Sequence, residues 1–257
     1  MRHRIARGLL AVLAVAAPRS MMSQQQVLHR SDTLPNVSMR ALEIGGVLLA
    51  VAFVVDKRTE HVFQGYYGPN TQRAANTFDK FGEITGIGVV VGGLGVAAII
   101  TRDHRVVQDM VRAGLSAVIA TGVATAMKYT FGRERPYSDV DQDGLDFHAF
   151  HGSTAGSPSF PSGHASVAFA LATSLGDATG KTWAKVGLWG LATGTAWARL
   201  QLNQHWVSDV AAGAAVGILS AKFADGRLKI MGIKPPQFVM EPRTLGLAWT
   251  VPMPLVR

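Results

Sequence analysis

The 257-residue sequence contains no cysteine, which rules out disulfides and thiolate metal sites and leaves the redox compartment open. It has no basic run interleaved with aromatics, so nucleic acid is set aside as a partner. No continuous apolar run reaches the ~20 residues of a clean membrane span, and the mean hydropathy is only +0.19. What the chain does have is a positive balance, +8 with a pI near 10.1. That balance fits an anionic substrate or an anionic membrane surface.

The length suits one domain around one core. Six apolar segments, residues 41–55, 84–100, 113–127, 162–175, 184–198 and 206–222, are expected to be helices separated by polar or glycine-containing stretches. The expected fold is therefore all-α, a six-helix bundle. If successive helices run antiparallel, the ends of the third and fifth meet the starts of the fourth and sixth on one face. Before the bundle, Arg2, Arg4 and Arg7 precede an apolar stretch, Leu9 to Ala17, that contains Ala14-Val15-Ala16. Residues 1–19 thus read as an export signal or N-terminal anchor, and 20–40 as a polar linker. The catalytic domain is expected over 41–225 and a tail over 226–257. In that tail Leu245, Leu247, Trp249 and Val251 alternate after Glu241-Pro242-Arg243, as in a short β-like strand.

The six segments are only 14 to 17 residues long. Basic residues nevertheless gather in alternate loops, Arg102, Arg105 and Arg112, then Lys181 and Lys185, then Lys222, Arg227 and Lys229, as a positive-inside bias would give. The expectation is an exported protein of the cell envelope with a periplasm-facing site, either integral to the inner membrane or associated with its surface. The oligomeric state is not legible.

Chemistry concentrates in three clusters at the edges of apolar segments: Lys128 to Arg135-Pro136, Pro161-Ser162-Gly163-His164, and Arg199 through His205 to Asp209. A phosphoryl group in transfer spreads charge over three equatorial oxygens, so its catalysis is mostly positioning and charge stabilisation. Lys128, Arg135 and Arg199 supply positive charge without a metal. Backbone N–H groups at Ser162-Gly163, opening a helix, add an anion site, with Ser162 also an N-cap. His205 and Asp209, four apart, share a helical face. Asp209 can accept the Nδ1 proton and leave Nε2 as a nucleophile. His164 is then the acid for the leaving oxygen and the base for water.

Lys-x6-Arg-Pro, Pro-Ser-Gly-His and Arg-x5-His-x3-Asp together resemble the three motifs of the type 2 phosphatidic acid phosphatase family, which shares its fold with vanadium-dependent haloperoxidases. The resemblance covers about residues 40–225. It implies a phosphoric ester hydrolase with a helical bundle, a phosphohistidine on His205 and no metal or other cofactor. Lys128, Arg135, Ser162, Gly163 and Arg199 would hold the phosphate, and His164 would act as acid and base. The substrate would be a lipid phosphate or related phosphomonoester or diphosphate. Ala198 departs from the serine usual before the third-motif arginine, which removes a hydroxyl but none of the charges. Two alternatives remain: a haloperoxidase, the only reading that needs vanadate, and a non-catalytic binder of anionic lipid headgroups.

One more pattern stands between the first two clusters. Asp139-Val140-Asp141-Gln142-Asp143-Gly144 matches the start of a calcium loop, but Phe150 occupies position twelve instead of glutamate. An acidic surface loop at the pocket mouth is the expectation, with His148 and His151 in the same segment.

Overall fold

The computed structural model describes residues 34–101, 103–139, 144–151, 156–230, 232–235, 237–241 and 244–248. The expected export signal, most of the linker, Asp141, Asp143, Trp249 and Val251 lie outside them. The described residues fall into two compact units, one within residues 40–222 and one within residues 34–39 and 223–248.

Seven helices occur among the described residues: α1 Met39–Gly65, α2 Pro69–Asp79, α3 Ile84–Thr101, α4 His104–Phe131, α5 Gly163–Thr179, α6 Thr182–Gln201 and α7 Val207–Ala224, with a 3-10 turn at Lys80–Gly82. The all-α expectation holds, with one helix more than the six apolar segments. That helix, α2, has a polar sequence that no search for apolar runs would select. Its start is set by Pro69 and by the Gly68 N–H donating to Thr71 Oγ1 at 2.9 Å.

Helices also extend past the apolar runs. The run 113–127 became α4, 28 residues from a cap at Asp103, which accepts the Arg105 N–H at 2.8 Å, to Gly132 in the left-handed conformation. Polar residues at a helix end need no apolar face, so hydropathy alone underestimates its length.

α5 is the central element. Ala165, Ala168, Phe169 and Ala172 on it pack with Ala192 and Ala196 of α6 and Val210 of α7. Val167 and Leu171, on another side, pack with Ala113 and Ala117 of α4. The alanine-rich seams let backbones approach closely. Gly213 on α7 carries this furthest, since a Cβ there would lie 2.5 Å from the Ser162 carbonyl oxygen. This close approach lets the Ser162 N–H donate to the Asp209 carbonyl at 2.9 Å, joining the starts of α5 and α7.

α1 is different. It buries only Ala52 and Asp56, while Leu42, Ile44, Val47, Leu48, Val51 and Val54 are all exposed. Among the described residues, two helical stretches, Arg105–Phe131 and Val207–Ala224, are long and apolar enough to cross a bilayer.

In the other unit Asn36 and Lys229 form a parallel bridge, with the Val37 N–H donating to the Lys229 carbonyl at 3.3 Å and the Lys229 N–H to the Pro35 carbonyl at 2.8 Å. Strands β1 Gln237–Glu241 and β2 Thr244–Ala248 form an antiparallel hairpin in the register Gln237 to Ala248 and Glu241 to Thr244. The β-like tail is therefore a two-stranded ribbon.

Candidate active site

The end of α4, the start of α5, the end of α6 and the turn into α7 carry Lys128, Ser162-Gly163-His164, Arg199 and His205 respectively. The positive charges of Lys128, Arg199 and Arg135 all bear on His205. A Cβ on Gly163 would lie 4.0 Å from Lys128 Cε. The eight residues singled out from sequence are thus brought together.

Each of the three cations is anchored and, counting the described residues, keeps donors to spare. Lys128 Nζ donates to the carbonyls of Pro158 and of Ser159, the latter at 3.1 Å, which leaves one of its three N–H groups. Arg135 donates from Nε to Ser157 O at 2.9 Å and from Nη1 to Gln204 Oε1 at 2.7 Å. Arg199 donates from Nη1 to Asp79 Oδ2 at 2.7 Å, while its buried Nε has no partner among the described residues. A buried N–H without an acceptor costs about 1–3 kcal/mol, which an anion placed against it would offset.

Ser162 is the N-cap of α5; its hydroxyl accepts the Ala165 N–H at 3.4 Å and its carbonyl the Ser166 N–H at 3.0 Å. With Ala165 and Ser166 served, the first-turn amides of Gly163 and His164 face outward from the helix end.

His205 corrects one expectation. It lies two residues before α7, so it and Asp209 do not share a helical face. Their pairing instead runs across the helix start: Asp209 Oδ2 is 3.3 Å from His205 Nδ1 and accepts the Trp206 N–H at 2.9 Å, like the second half of a capping box. With a carboxylate oxygen opposite, Nδ1 carries the proton and Nε2 the lone pair. Burial first, then the charges of Lys128 and Arg199, hold the His205 imidazole well below its ordinary range. Burial and the Arg199 guanidinium likewise bring His164 down to about 4, against the pull of Asp79, whose Oδ2 is 3.9 Å from His164 Nε2.

Three residues that sequence reasoning passed over complete the site. Asp79, the last residue of α2, balances Arg199. One of its carboxylate oxygens, with one ligand atom each from Glu83 and His164, makes a set lying within 4.8 Å of one another, a grouping of metal-site size. The Arg199 guanidinium already holds Asp79 Oδ2. Arg133 and Asp56 form a buried pair at 2.7 Å, and Arg133 also donates to Asp209 Oδ1 at 2.7 Å. Only the lone acid ending the apolar run of α1 hinted at Asp56, and the Lys-x6-Arg-Pro spacing selects Arg135 and passes over Arg133.

The expected acidic surface loop is also corrected at its first residue. Asp139 is buried, and its Oδ2 accepts the Gly144 N–H at 2.9 Å. Gly144 in turn presents its carbonyl to Arg133 Nε at 2.9 Å. Its φ of +72 and a Cβ position 2.7 Å from Arg133 Nη2 exclude any other residue there without strain. Within the motif, the glycine serves the arginine. His148 Nε2 sits 3.0 Å from Asp146 Oδ1, and His151 is exposed.

Several known phosphatases resemble this chain. A lipid A 1-phosphatase of Porphyromonas gingivalis is 39% identical over 112 residues, 43% of this chain but only 22% of that protein. A decaprenylphosphoryl-5-phosphoribose phosphatase of Mycobacterium tuberculosis is 31% identical over 157 residues, 61% of this chain and 80% of that protein. Among solved structures, a transmembrane PAP2 type phosphatidylglycerolphosphate phosphatase from Bacillus subtilis superposes with a TM-score of 0.53 at 14% identity, covering 71% of this chain and 92% of that one. It shares the fold. The sequence profile of the PAP2 superfamily matches residues 109–224. Both sequence relatives are phosphoric ester hydrolases, and with the mycobacterial one matched over most of its length, this chain belongs to the PAP2 superfamily.

Proposed function

We propose that the protein is a metal-independent phosphatase of the cell envelope that hydrolyses a lipid-linked phosphate through a phosphohistidine on His205. The observation that carries this reading is the convergence of three anchored cations with spare donors on a neutral, carboxylate-paired histidine. Lys128, Arg135, Arg199 and the amides of Gly163 and His164 bind the equatorial oxygens. His205 Nε2 attacks phosphorus, the bond from phosphorus to the leaving oxygen breaks, and His164 gives that oxygen its proton. His164 then takes a proton from water, whose oxygen attacks phosphorus, breaks the phosphorus–nitrogen bond and releases phosphate.

The lipid class is supported by the substrates named for both sequence relatives. The exposed apolar side of α1 and the length of α4 favour membrane association. Phosphate release should be measured over lipid A phosphates, polyprenyl phosphates, phosphatidate and soluble aryl phosphates in mixed micelles. Release from at least one lipid class, undiminished in excess chelator, is expected because three cations compensate the charge. Failure on all of these, or loss on chelation restored by a divalent ion, would overturn the reading.

A second expectation concerns His164. Neutral in the free protein, it meets added negative charge when an oxyanion binds, and its pKa rises. Binding of vanadate near neutral pH should therefore take up a proton. As pH rises through the pKa of the complex, His164 loses that proton and affinity falls. Titration calorimetry in buffers of different ionisation enthalpy measures the uptake, and His164→Ala should reduce it to the share taken by Lys128, which burial and Arg135 hold down to about 7. Equal uptake by wild type and variant would remove His164 as the acid.

A further inference from the structure

We propose that Asp56, on α1 and outside all three motifs, is a positioning residue for the His205–Asp209 pair, acting through Arg133. The inference rests on the phosphohistidine reading above.

Arg133 differs from the phosphate-facing cations in having no donor left. Nε goes to the Gly144 carbonyl at 2.9 Å and Nη1 to Ser208 Oγ at 2.6 Å and Asp209 Oδ1 at 2.7 Å. Nη2 goes to Asp56 Oδ2 at 2.7 Å and to the Gly144 carbonyl at 2.5 Å. Five N–H groups meet acceptors, so this arginine does not bind substrate. The rings of Phe53, Phe147 and Trp206 stand 4.8, 5.2 and 5.4 Å from its guanidinium carbon. The side chains of Asp56, Arg133 and Asp209 are all 0% exposed.

In such a setting charges are not screened by water, and their balance decides what a neighbour feels. Arg133 and Asp209 alone would sum to zero, and the arginine would cancel much of the field Asp209 exerts on His205. Asp56 adds the second negative charge. The three groups then sum to −1, and His205 sees a net negative partner as it becomes positive on phosphorylation. Asp56 also fixes the geometry. Its Oδ1 accepts the Ser208 N–H at 2.9 Å and its Oδ2 the Ser208 hydroxyl at 2.5 Å, one residue before Asp209 in the first turn of α7.

The test is Asp56→Asn in the full chain, which keeps size and removes the charge. Turnover should fall about 10- to 100-fold, the usual effect of losing an orienting outer partner. Phosphoenzyme formation in rapid quench should slow by the same factor, with KM and vanadate affinity within about threefold of wild type. A merely structural role would lower the folded fraction and leave turnover per folded molecule intact. If Asp56→Asn does not fold, Ser208→Ala replaces it. That variant breaks one link between Asp56 and Arg133 with the charges in place, and should lose about three- to tenfold in turnover with the same split. Wild-type turnover per folded molecule in the variant that folds, or equal losses in turnover and vanadate affinity, overturns the proposal. His205→Ala is the parallel control. If it is inactive while Asp56→Asn is normal, the positioning role alone fails; if it turns over, the covalent reading fails and takes this inference with it.

Discussion

His205→Ala should lose turnover by about 10⁴-fold or more, because both chemical steps pass through the bond this side chain forms with phosphorus. The loss should be the same for lipid and activated aryl phosphates, since no leaving group is good enough to replace a missing nucleophile. Wild-type protein quenched within a turnover of labelled substrate should retain label that is stable to base and lost in acid, and the variant should retain none. His164→Ala offers the contrast. With an aryl phosphate that leaves without a proton, it should still form the phosphoenzyme and then accumulate it, because water is no longer activated. Residual turnover in His205→Ala above about one hundredth of wild type would end the covalent scheme, since loss of general acid–base help alone is usually about 10²–10⁴-fold.

Asp209→Asn should come next in size, at about 10³-fold or more in turnover. The geometry makes this change harsher than a loss of charge alone. One carboxylate oxygen accepts from Arg133 and the other from the Trp206 N–H and His205. An amide must turn its N–H₂ group toward one of those donors whichever way it is placed. Facing His205, it favours the tautomer with the proton on Nε2, where the lone pair is needed. Facing Arg133, it leaves that buried cation with one carboxylate. Vanadate, held by Lys128, Arg135 and Arg199, should bind within about tenfold of wild type while turnover collapses. Arg199→Ala should instead lose binding and rate together. If Asp209→Asn turned over within a few-fold of wild type, the pairing with His205 would be incidental.

Much of this site was legible because its residues are local in sequence and chemically distinctive. Lys128, the Pro161–His164 cluster, Arg199 and His205 stand at helix ends, and helix ends are where apolar runs stop. The antiparallel succession of apolar segments then put those ends on one face. What escaped is long-range or polar. Asp79 is 120 positions from the Arg199 it balances, on a helix with no apolar run to announce it. Asp56 is 77 positions from Arg133. A carboxylate whose worth lies in its partner gives no local signal. The helical face assigned to His205 and Asp209 failed for a related reason: spacing of four fits a helix, but equally fits a residue outside the helix met by a carboxylate reaching back over its first turn.

The first helix bears on how portable this catalytic unit is. The three motifs, and the whole stretch that matches the superfamily, lie beyond residue 108. By that measure the preceding hundred or so residues could be exchanged for any membrane anchor of similar length. Asp56 says otherwise. A chain cut back to the matched segment, or grafted behind a foreign helix, would carry every motif residue and still enclose an arginine missing one of its two carboxylates. On the positioning role proposed above, the functional module begins on α1, and a transplant that works must bring Asp56 along, together with Asp79 of α2.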